Sequence, residues 1–356
     1  MFSASGNLGK FPIYGRKFGL YHKINQIDKE RKMKKVLLFT LVLLLAAGMV
    51  FAGGSKEKGE GDGAAGGKQF IVIKSSSIGG SWYACGAAYA KLITDNTNFI
   101  AMNSASPGLT NESIKTMAEG KAQLALGEPL GAYAALKGNA PWDKPQNVRI
   151  LFGIWPGVFN IVVNADSNIN TLADLKGKSI ATFVEGEPDG MAFMDLLSWA
   201  GVNEQNSRVY RIMKNDATRM FIDGQADCLI YAFGHGHSKL KEICTARKIK
   251  FVPTDDALAK KFMEKYPYYS STQFGSEFNV PDAQQFQSTY FIMCLDSLPE
   301  DQAYEFTKVW WENWDFLQEA MPSNVPWINR DDPQGGLPIP MHPGALKYFK
   351  EKGIIK

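Results

Sequence analysis

The chain has 356 residues, of which 45% are hydrophobic and 21% charged, with 34 Gly and 17 Pro. These values exclude a wholly disordered, a collagen-like or a polytopic membrane protein, and the length allows two domains with cores of their own. Residues 1–52 hold nine of the 39 Lys and Arg residues and two of the 36 Asp and Glu residues, a net charge of +7, so the remaining 304 residues carry −4. A slightly acidic body does not support nucleic-acid binding.

The N-terminal segment has the composition of an export signal. Met33-Lys34-Lys35 precedes a charge-free apolar run that ends at Val50-Phe51-Ala52, so we predict a cleaved signal peptide over 33–52 and an exported protein. The run is also about long enough for a single transmembrane anchor, which is the alternative. Residues 1–32 show no clear pattern and are interpreted as an over-long gene start. The Gly-, Lys- and Glu-rich residues 53–67 are predicted to form a flexible linker.

From residue 68 onward, short apolar strands alternate with helices of amphipathic spacing, a pattern typical of α/β proteins with mostly parallel sheets. Strands are predicted over 70–74, 123–127, 148–152, 159–164, 178–183, 208–213, 227–232, 250–253 and 287–296. Helices are predicted over 82–94, 110–119, 171–176, 191–200, 216–223, 239–247, 299–320 and 343–352. Trp155-Pro156-Gly157 is expected to separate the strands 148–152 and 159–164.

The four cysteines, Cys85, Cys228, Cys244 and Cys294, are widely spaced and fit no zinc pattern. Export permits disulfides, and Cys228 and Cys244 could pair, whereas four buried thiols are the alternative. Two His residues two positions apart, at 235 and 237, are a weak metal signal without a nearby Cys or carboxylate pattern. We therefore expect neither a metal nor a cofactor.

Three segments carry a resemblance to a known family. Ser77-Ile78-Gly79-Gly80-Ser81-Trp82-Tyr83 is similar to the S-T-G-G-x-Y-Y loop of the TAXI-type solute receptors, with Ile78 and Trp82 as departures. Residues 166–177, DSNINTLADLKG, are similar to a motif that many periplasmic binding proteins share, and residues 335–344, GGLPIPMHPG, to the more specific TAXI C-terminal signature. Over 70–355 the chain thus resembles the extracytoplasmic receptors of tripartite ATP-independent periplasmic (TRAP) transporters.

This resemblance implies the type II periplasmic binding protein fold, an α/β architecture of two lobes with a hinge and a ligand cleft between them. Lobe 1 is expected over 68–157 and 252–356, and lobe 2 over 158–251. The implied ligand is a small polar solute, either an amino acid such as glutamate or an organic acid. The implied partner is a TRAP-type membrane permease.

A receptor needs oriented donors and acceptors on two lobes rather than a nucleophile. Two loops that precede helices are rich in Gly and Ser, and such loops can offer free backbone N–H groups to an anion. The residues of these loops that we predict to contact the ligand are Ser77, Gly79, Gly80, Ser81, Tyr83, Ser106 and Gly108. A plain turn with a helix cap is the alternative for the loop 77–83, and core packing for Tyr83.

A third loop, EGEPDGM over 185–191, is acidic where the family is neutral. If it lines the cleft, it would repel a dicarboxylate but suit an ammonium or polyhydroxy group. We predict ligand contacts from Glu185, Asp189 and Gly190, with a solvated rim as the alternative. The remaining predicted contacts are Glu128, Trp155, Phe233 and His235. An inter-lobe ion pair is the alternative for Glu128, and hinge packing for Trp155.

The leading hypothesis is a receptor that delivers a small solute to a membrane permease. An enzyme is not expected, because the sequence contains no G-x-S-x-G, P-loop or H-E-x-x-H motif and only four His residues. A binding module for sensing or adhesion remains open, as does a receptor for a cationic or polyhydroxy ligand.

Overall fold

The computed structural model describes residues 68–106, 109–337 and 339–356. The predicted gene start (1–32), signal peptide (33–52) and linker (53–67) lie outside the described residues, as does the candidate ligand contact Gly108. Within the described ranges, no helix combines the length and the apolar character needed to cross a membrane.

The described residues form ten strands and ten α-helices. The strands are β1 Gln69–Lys74, β2 Phe99–Ser104, β3 Leu124–Gly127, β4 Val148–Asn164, β5 Ser179–Thr182, β6 Arg208–Arg211, β7 Cys228–Ala232, β8 Ile249–Phe251, β9 Ser270–Phe274 and β10 Ala283–Leu295. The helices are α1 Ser81–Asn96, α2 Leu109–Ala118, α3 Pro129–Lys137, α4 Pro188–Trp199, α5 Lys214–Ile222, α6 Ser238–Ala246, α7 Asp256–Lys265, α8 Glu300–Glu312, α9 Trp314–Ala320 and α10 Pro343–Glu351. Short 3-10 helices cover Leu172–Leu175, Ser276–Phe278 and Val325–Trp327.

The described strands form one sheet with the order β2-β1-β3-β10-β4-β7-β5-β6, while β8 pairs with β4 and β9 with β10. β1 runs parallel to β2 and β3, and β5 runs parallel to β6 and β7. β10 is antiparallel to β3 and β4, and β4 is antiparallel to β7 and β8. The prediction of mostly parallel sheets is therefore wrong, because β4 and β10 each run antiparallel to the parallel strands beside them.

The same strand order occurs twice, as β2-β1-β3-β10-β4 and as β6-β5-β7-β4-β8. We call the elements β1–β3, α1–α3 and α8–α10 the first unit, and β5–β9 with α4–α7 the second unit. Both units use β4 and β10. This repeated α/β architecture is that of a type II periplasmic binding protein, so the predicted fold class is confirmed.

β4 is one strand of 17 residues, so the prediction of two strands separated by Trp155-Pro156-Gly157 is wrong. Pro156 lies opposite Thr289 of β10, and the register of the ladder shifts just beyond it, between Thr289 and Phe291. A proline removes one N–H group from a ladder, and an irregular position in the partner strand tolerates that loss. The strand therefore runs from the first unit into the second without a break.

Buried apolar side chains form one large cluster in the second unit and two clusters in the first. The second-unit cluster extends beyond residue 251. The ring of Phe262 on α7 lies 5.4 Å from that of Phe193 on α4 and 4.4 Å from that of Phe286 on β10, measured between centroids. Residues 259–286, which the sequence predicted in the first lobe, thus pack in the core of the second unit.

The single helix predicted over 299–320 is also wrong, because α8 ends at Glu312 and α9 begins at Trp314. The side-chain amide of Asn313 donates to the carbonyl oxygen of Val309 at 2.8 Å, taking the acceptor that a continuing helix would use. Trp310 and Trp311 remain buried at the end of α8, where the Trp310 ring stacks on Phe152 of β4 with centroids 5.2 Å apart.

All four cysteines are free thiols. Cys85, Cys228 and Cys294 are buried, whereas Cys244 is half-buried on α6. Burial raises the pKa of the thiols of Cys85, Cys228 and Cys294 well above the ordinary value. The pairing of Cys228 with Cys244 that the sequence left open is not formed.

The first turn of α10 packs directly against the backbone of α8. A Cβ atom on Gly344 would overlap the carbonyl oxygen of Glu300 and lie 2.8 Å from the amide nitrogen of Tyr304. We expect Gly344→Ala to force the helices apart and to lower the free energy of unfolding by about 2–3 kcal/mol, as measured by urea denaturation. Lys350→Ala, at an exposed position of the same helix, is the control and should change it by less than about 0.5 kcal/mol. Equal effects of the two variants would contradict this close approach.

Candidate functional site

A cavity of about 410 Å³ is lined by residues of both units. This volume is in the range of small-molecule sites. The segments that follow β1, β3, β5, β6 and β7 all reach it, in agreement with the usual place of ligands at the carboxyl ends of parallel strands. From the first unit and the shared strands, it is lined by Ser76, Ser77, Ile78, Gly79, Gly80, Ser81, Trp82, Glu128, Trp155, Tyr290 and Asn324. From the second unit, it is lined by Phe183, Val184, Glu187, Asp189, Met213, Lys214, Asn215, Tyr231, Ala232, Gly234, His237 and Lys239.

The loop between β1 and α1 brings a helix N-terminus to the cavity. Gly79 has φ +89°, a backbone conformation that favours glycine. Gly80 is the N-cap residue of the 16-residue helix α1, and none of the described side chains caps that helix. The first N–H groups of α1 therefore have no side-chain acceptor, and the positive end of the helix dipole favours an anionic group there.

Three carboxyl groups also line the cavity, and all three are buried. Glu128 caps α3, since its two carboxylate oxygens accept from the amides of Leu130 at 2.7 Å and Gly131 at 2.8 Å. Asp189 accepts a hydrogen bond from the hydroxyl of Tyr269. Glu187 is the N-cap residue of α4 but makes no capping hydrogen bond.

The half-buried cation Lys214 lines the same cavity. The Nζ atom of Lys214, at the start of α5, donates to the carbonyl oxygen of Ala232 at 2.8 Å and lies 5.5 Å from the ring centroids of Tyr231 and Phe233. Burial lowers the pKa of Lys214 to about 8, although Glu187 and Asp189 oppose this shift. The ammonium group thus titrates near neutral pH.

Burial also keeps the carboxyl groups protonated at unusually high pH. It raises the pKa of Glu187 to about 8, with the charge of Asp189 adding to the effect, and it raises the pKa of Asp189 to about 7. Burial and the charges of Asp189 and Glu187 raise the pKa of Glu128 well above its ordinary value, against the effect of its two amide donors. The cavity therefore holds less negative charge at neutral pH than three carboxylates would give.

Aromatic rings supply the apolar walls. The rings of Trp82 and Tyr290 meet edge to face with centroids 4.8 Å apart, and those of Phe183 and Tyr231 lie 4.3 Å apart. The ring of Tyr290 occupies the space where a Cβ atom on residue 157 would lie, so this strand position requires glycine. Rigid rings of this kind can contact apolar parts of a solute at a small entropic cost.

About half of the predicted ligand contacts are brought together. The predicted residues that line the cavity are Ser77, Gly79, Gly80, Ser81, Glu128, Trp155 and Asp189. The predicted residues that do not line it are Tyr83, Ser106, Glu185, Gly190, Phe233 and His235. Contact with a ligand stays a prediction for both groups of residues. The inter-lobe ion pair considered for Glu128 does not form, because its oxygens cap α3.

Each predicted residue outside the cavity has a local role. The exposed carboxylate of Glu185 pairs with Arg211 at 2.8 Å, in line with the alternative of a solvated rim. The ring of His235 stacks on Trp327 with centroids 3.4 Å apart, and its Nδ1 atom lies 2.9 Å from Oε1 of Glu277. Phe233 is fully buried behind Lys214.

The other three predicted residues pack within or beside helices. The hydroxyl of Ser106 accepts from Ser113 of α2 at 3.0 Å and is buried. A Cβ atom on Gly190 would lie 2.6 Å from Cβ of Phe183, so this glycine allows α4 to approach β5 closely. Tyr83 is half-buried in the first turn of α1.

Sequence reasoning missed several cavity residues. Lys214 follows β6 and begins a helix, so the rule that directed attention to the other strand ends could have found it. His237 lines the cavity in place of His235, and burial lowers its pKa to about 3, which keeps the ring neutral. Tyr290 lies inside a strand, and no local signal in the sequence distinguishes it from a core residue.

In the part of the chain that the structure describes, no group of three or more His, Cys, Asp or Glu side chains is arranged to hold a metal ion. His237 instead caps α6, since its Nδ1 atom accepts from the amide of Lys239 at 3.1 Å. The lining groups suit a polar organic molecule that carries both donors and acceptors.

Residues 73–353 match the NMT1-like family, and the chain belongs to that family. The chain is also similar to solved structures. The aliphatic sulphonate binding protein SsuA from Escherichia coli is 15% identical, with 72% of this chain and 80% of that chain covered and a TM-score of 0.44. XAC2383 from Xanthomonas citri, bound to chloride, is 9% identical, with 80% of this chain and 97% of that chain covered and a TM-score of 0.47. The P235GK mutant of ArgBP from T. maritima is 14% identical, with 71% of this chain and 95% of that chain covered and a TM-score of 0.41.

The buried carboxyl groups predict an unusual dependence of stability on pH. The folded protein holds a proton on Glu187 up to about pH 8 and on Asp189 up to about pH 7. The unfolded chain releases both protons near pH 4. Since the folded state binds more protons in this window, the free energy of unfolding should fall as the pH rises from about 4 to about 8. Lys214 opposes the fall above pH 8, because its pKa is lowered to about 8 on folding.

Urea denaturation of the ligand-stripped protein between pH 4 and pH 8 measures the slope of the free energy of unfolding against pH. Glu187→Gln and Asp189→Asn should each flatten it, because each variant removes one of the titrating groups. Glu185→Gln, two residues away but exposed and paired with Arg211, should leave it unchanged. A slope that is the same in all three variants would contradict the assignment.

Proposed function

We propose that the chain is an extracytoplasmic receptor that captures a small polar solute and delivers it to a membrane permease. The observation that carries this proposal is the cavity of about 410 Å³ that both units line, which holds a helix N-terminus and several ionisable groups. Contacts from two units let a solute stabilise one arrangement of the units over another, which is what a capture step needs.

The proposed ligand is an amino acid or a related solute with both signs of charge. Its carboxylate would bind the uncapped N–H groups of α1, with the hydroxyls of Ser77 and Ser81 as further donors. A dicarboxylate without an amine is a poorer fit above about pH 8, where Glu187 and Asp189 are ionised and would repel its second charge.

The two units correspond to the proposed lobes, and β4 and β10 to the proposed hinge strands. The sequence predicted that the chain re-enters lobe 1 at residue 252. Because Phe262, Phe274 and Phe286 pack in the second-unit core, we place that return within β10, near Ser288. Lobe 1 would then comprise 68–157 and 288–356, and lobe 2 residues 158–287.

The proposed transporter class is TRAP, and the receptor type is TAXI. This step is supported by the resemblance of the loop 77–83 and of the segment 335–344 to TAXI receptors. The predicted signal peptide supports export to the periplasm, where such a receptor would meet its permease. A module for sensing or adhesion would share the cavity, but it would not need a permease.

Calorimetric titration of the ligand-stripped protein tests the receptor function. We expect L-amino acids to bind with micromolar or tighter dissociation constants, and sugars not to bind. Mass spectrometry of the small molecule that co-purifies with the protein provides an independent identification. If no amino acid or organic acid binds and none co-purifies, the proposed function is wrong.

A further inference from the structure

Glu187 presents an acceptor to the cavity that nothing in the described chain satisfies. The residue is 8% exposed and lines the cavity. It stands at the N-cap position of α4, yet its side chain accepts no capping hydrogen bond. A carboxyl group that lines the cavity without a donor from the protein can take one from a solute.

The neighbouring groups do not fill this role. Glu128 is occupied by two amides, and Asp189 by the hydroxyl of Tyr269. Among the described residues, Lys214 makes no ion pair with Glu187 within 4.0 Å, and its Nζ atom donates to Ala232 instead. The unsatisfied acceptor and the second carboxyl group beside it therefore face the same space.

We propose that Glu187 and Asp189 form a subsite for the ammonium group of the solute, and that its capture drives protons from these carboxyl groups into solvent. The inference rests on the proposed receptor function and adds both the chemical group recognised and the coupling to pH. No covalent bond changes, since the solute keeps its charged amine and the released protons pass to the buffer.

The titratable groups packed around the subsite permit this coupling. They are Glu128 before α3, Lys214 at the start of α5, Tyr231 of β7, His237 and Lys239 at the start of α6, Tyr269 before β9, and Tyr290 of β10. Burial raises the pKa of Tyr269 and Tyr290 well above the ordinary value and lowers that of His237 to about 3, so these three stay neutral near pH 7.

Near pH 7 the empty site holds protons on Glu187 and Asp189. An ammonium group favours the ionised form of a nearby carboxyl group, so it lowers their pKa and releases protons. Binding should then tighten as the pH rises from about 5.5 to about 8. Deprotonation of Lys214 above pH 8 removes a like charge and acts in the same direction.

Matched pairs of solutes test the subsite with the wild-type protein, which avoids any question of folding in a variant. L-Alanine is compared with propionate, and L-glutamate with glutarate, by calorimetry at pH 7.0 in phosphate and in Tris. We expect the amine-bearing member of each pair to bind at least about tenfold more tightly, as for a charge-assisted hydrogen bond. The difference in heat between the buffers should correspond to about half a proton or more released for each amine bound.

Substitutions test whether the protons released on binding come from Glu187 in the subsite. Glu187→Gln should weaken amine binding at least about tenfold and reduce proton release, while Glu204→Gln, at an exposed carboxylate that pairs with Arg211 away from the cavity lining, leaves both unchanged. If the amine-bearing solutes bind without proton release, or if propionate and glutarate bind as tightly, the subsite is wrong while the receptor function stands. If no amino acid or organic acid binds at any pH and none co-purifies, both proposals are wrong.

Discussion

Two long strands, β4 and β10, belong to both units, and the cavity depends on their pairing. Trp155 on β4 and Tyr290 on β10 both reach the cavity wall from this ladder. The Tyr290 ring fits only because residue 157 is glycine and leaves its space free. Since the units are also joined by these strands, any change in the distance between them must be absorbed along the same ladder.

The cavity contains polar groups that have no partner among the described residues. Among the described residues, the N-terminus of α1 has no side-chain cap, and Glu187 has no hydrogen-bond donor. Each of these departs from the usual rule that buried polar groups find partners within the chain. Such departures tend to concentrate at binding sites, where a ligand supplies the missing partner.

Local patterns predicted the elements whose burial follows a clear period, and they failed where a single side chain or a neighbouring strand decided the outcome. The break at Asn313 arises from one side-chain amide, and the continuity through Pro156 from an irregular position in the partner strand. β9 was missed because it is an edge strand in which only Phe274 is buried, so it shows no alternation. The loop 77–83 was found because its Gly and Ser residues lie between a strand and a helix.

By itself, the sequence determined the α/β class, the site at strand ends and the acidic character of the loop over 185–191, because composition and short-range periodicity carry these properties. Only the tertiary structure decided that Glu187 enters the cavity while Glu185 turns outward to Arg211. It also decided that His237, and not His235, reaches the site. Neighbouring residues of a loop have similar local signals, and which of them is buried depends on the packing of distant elements.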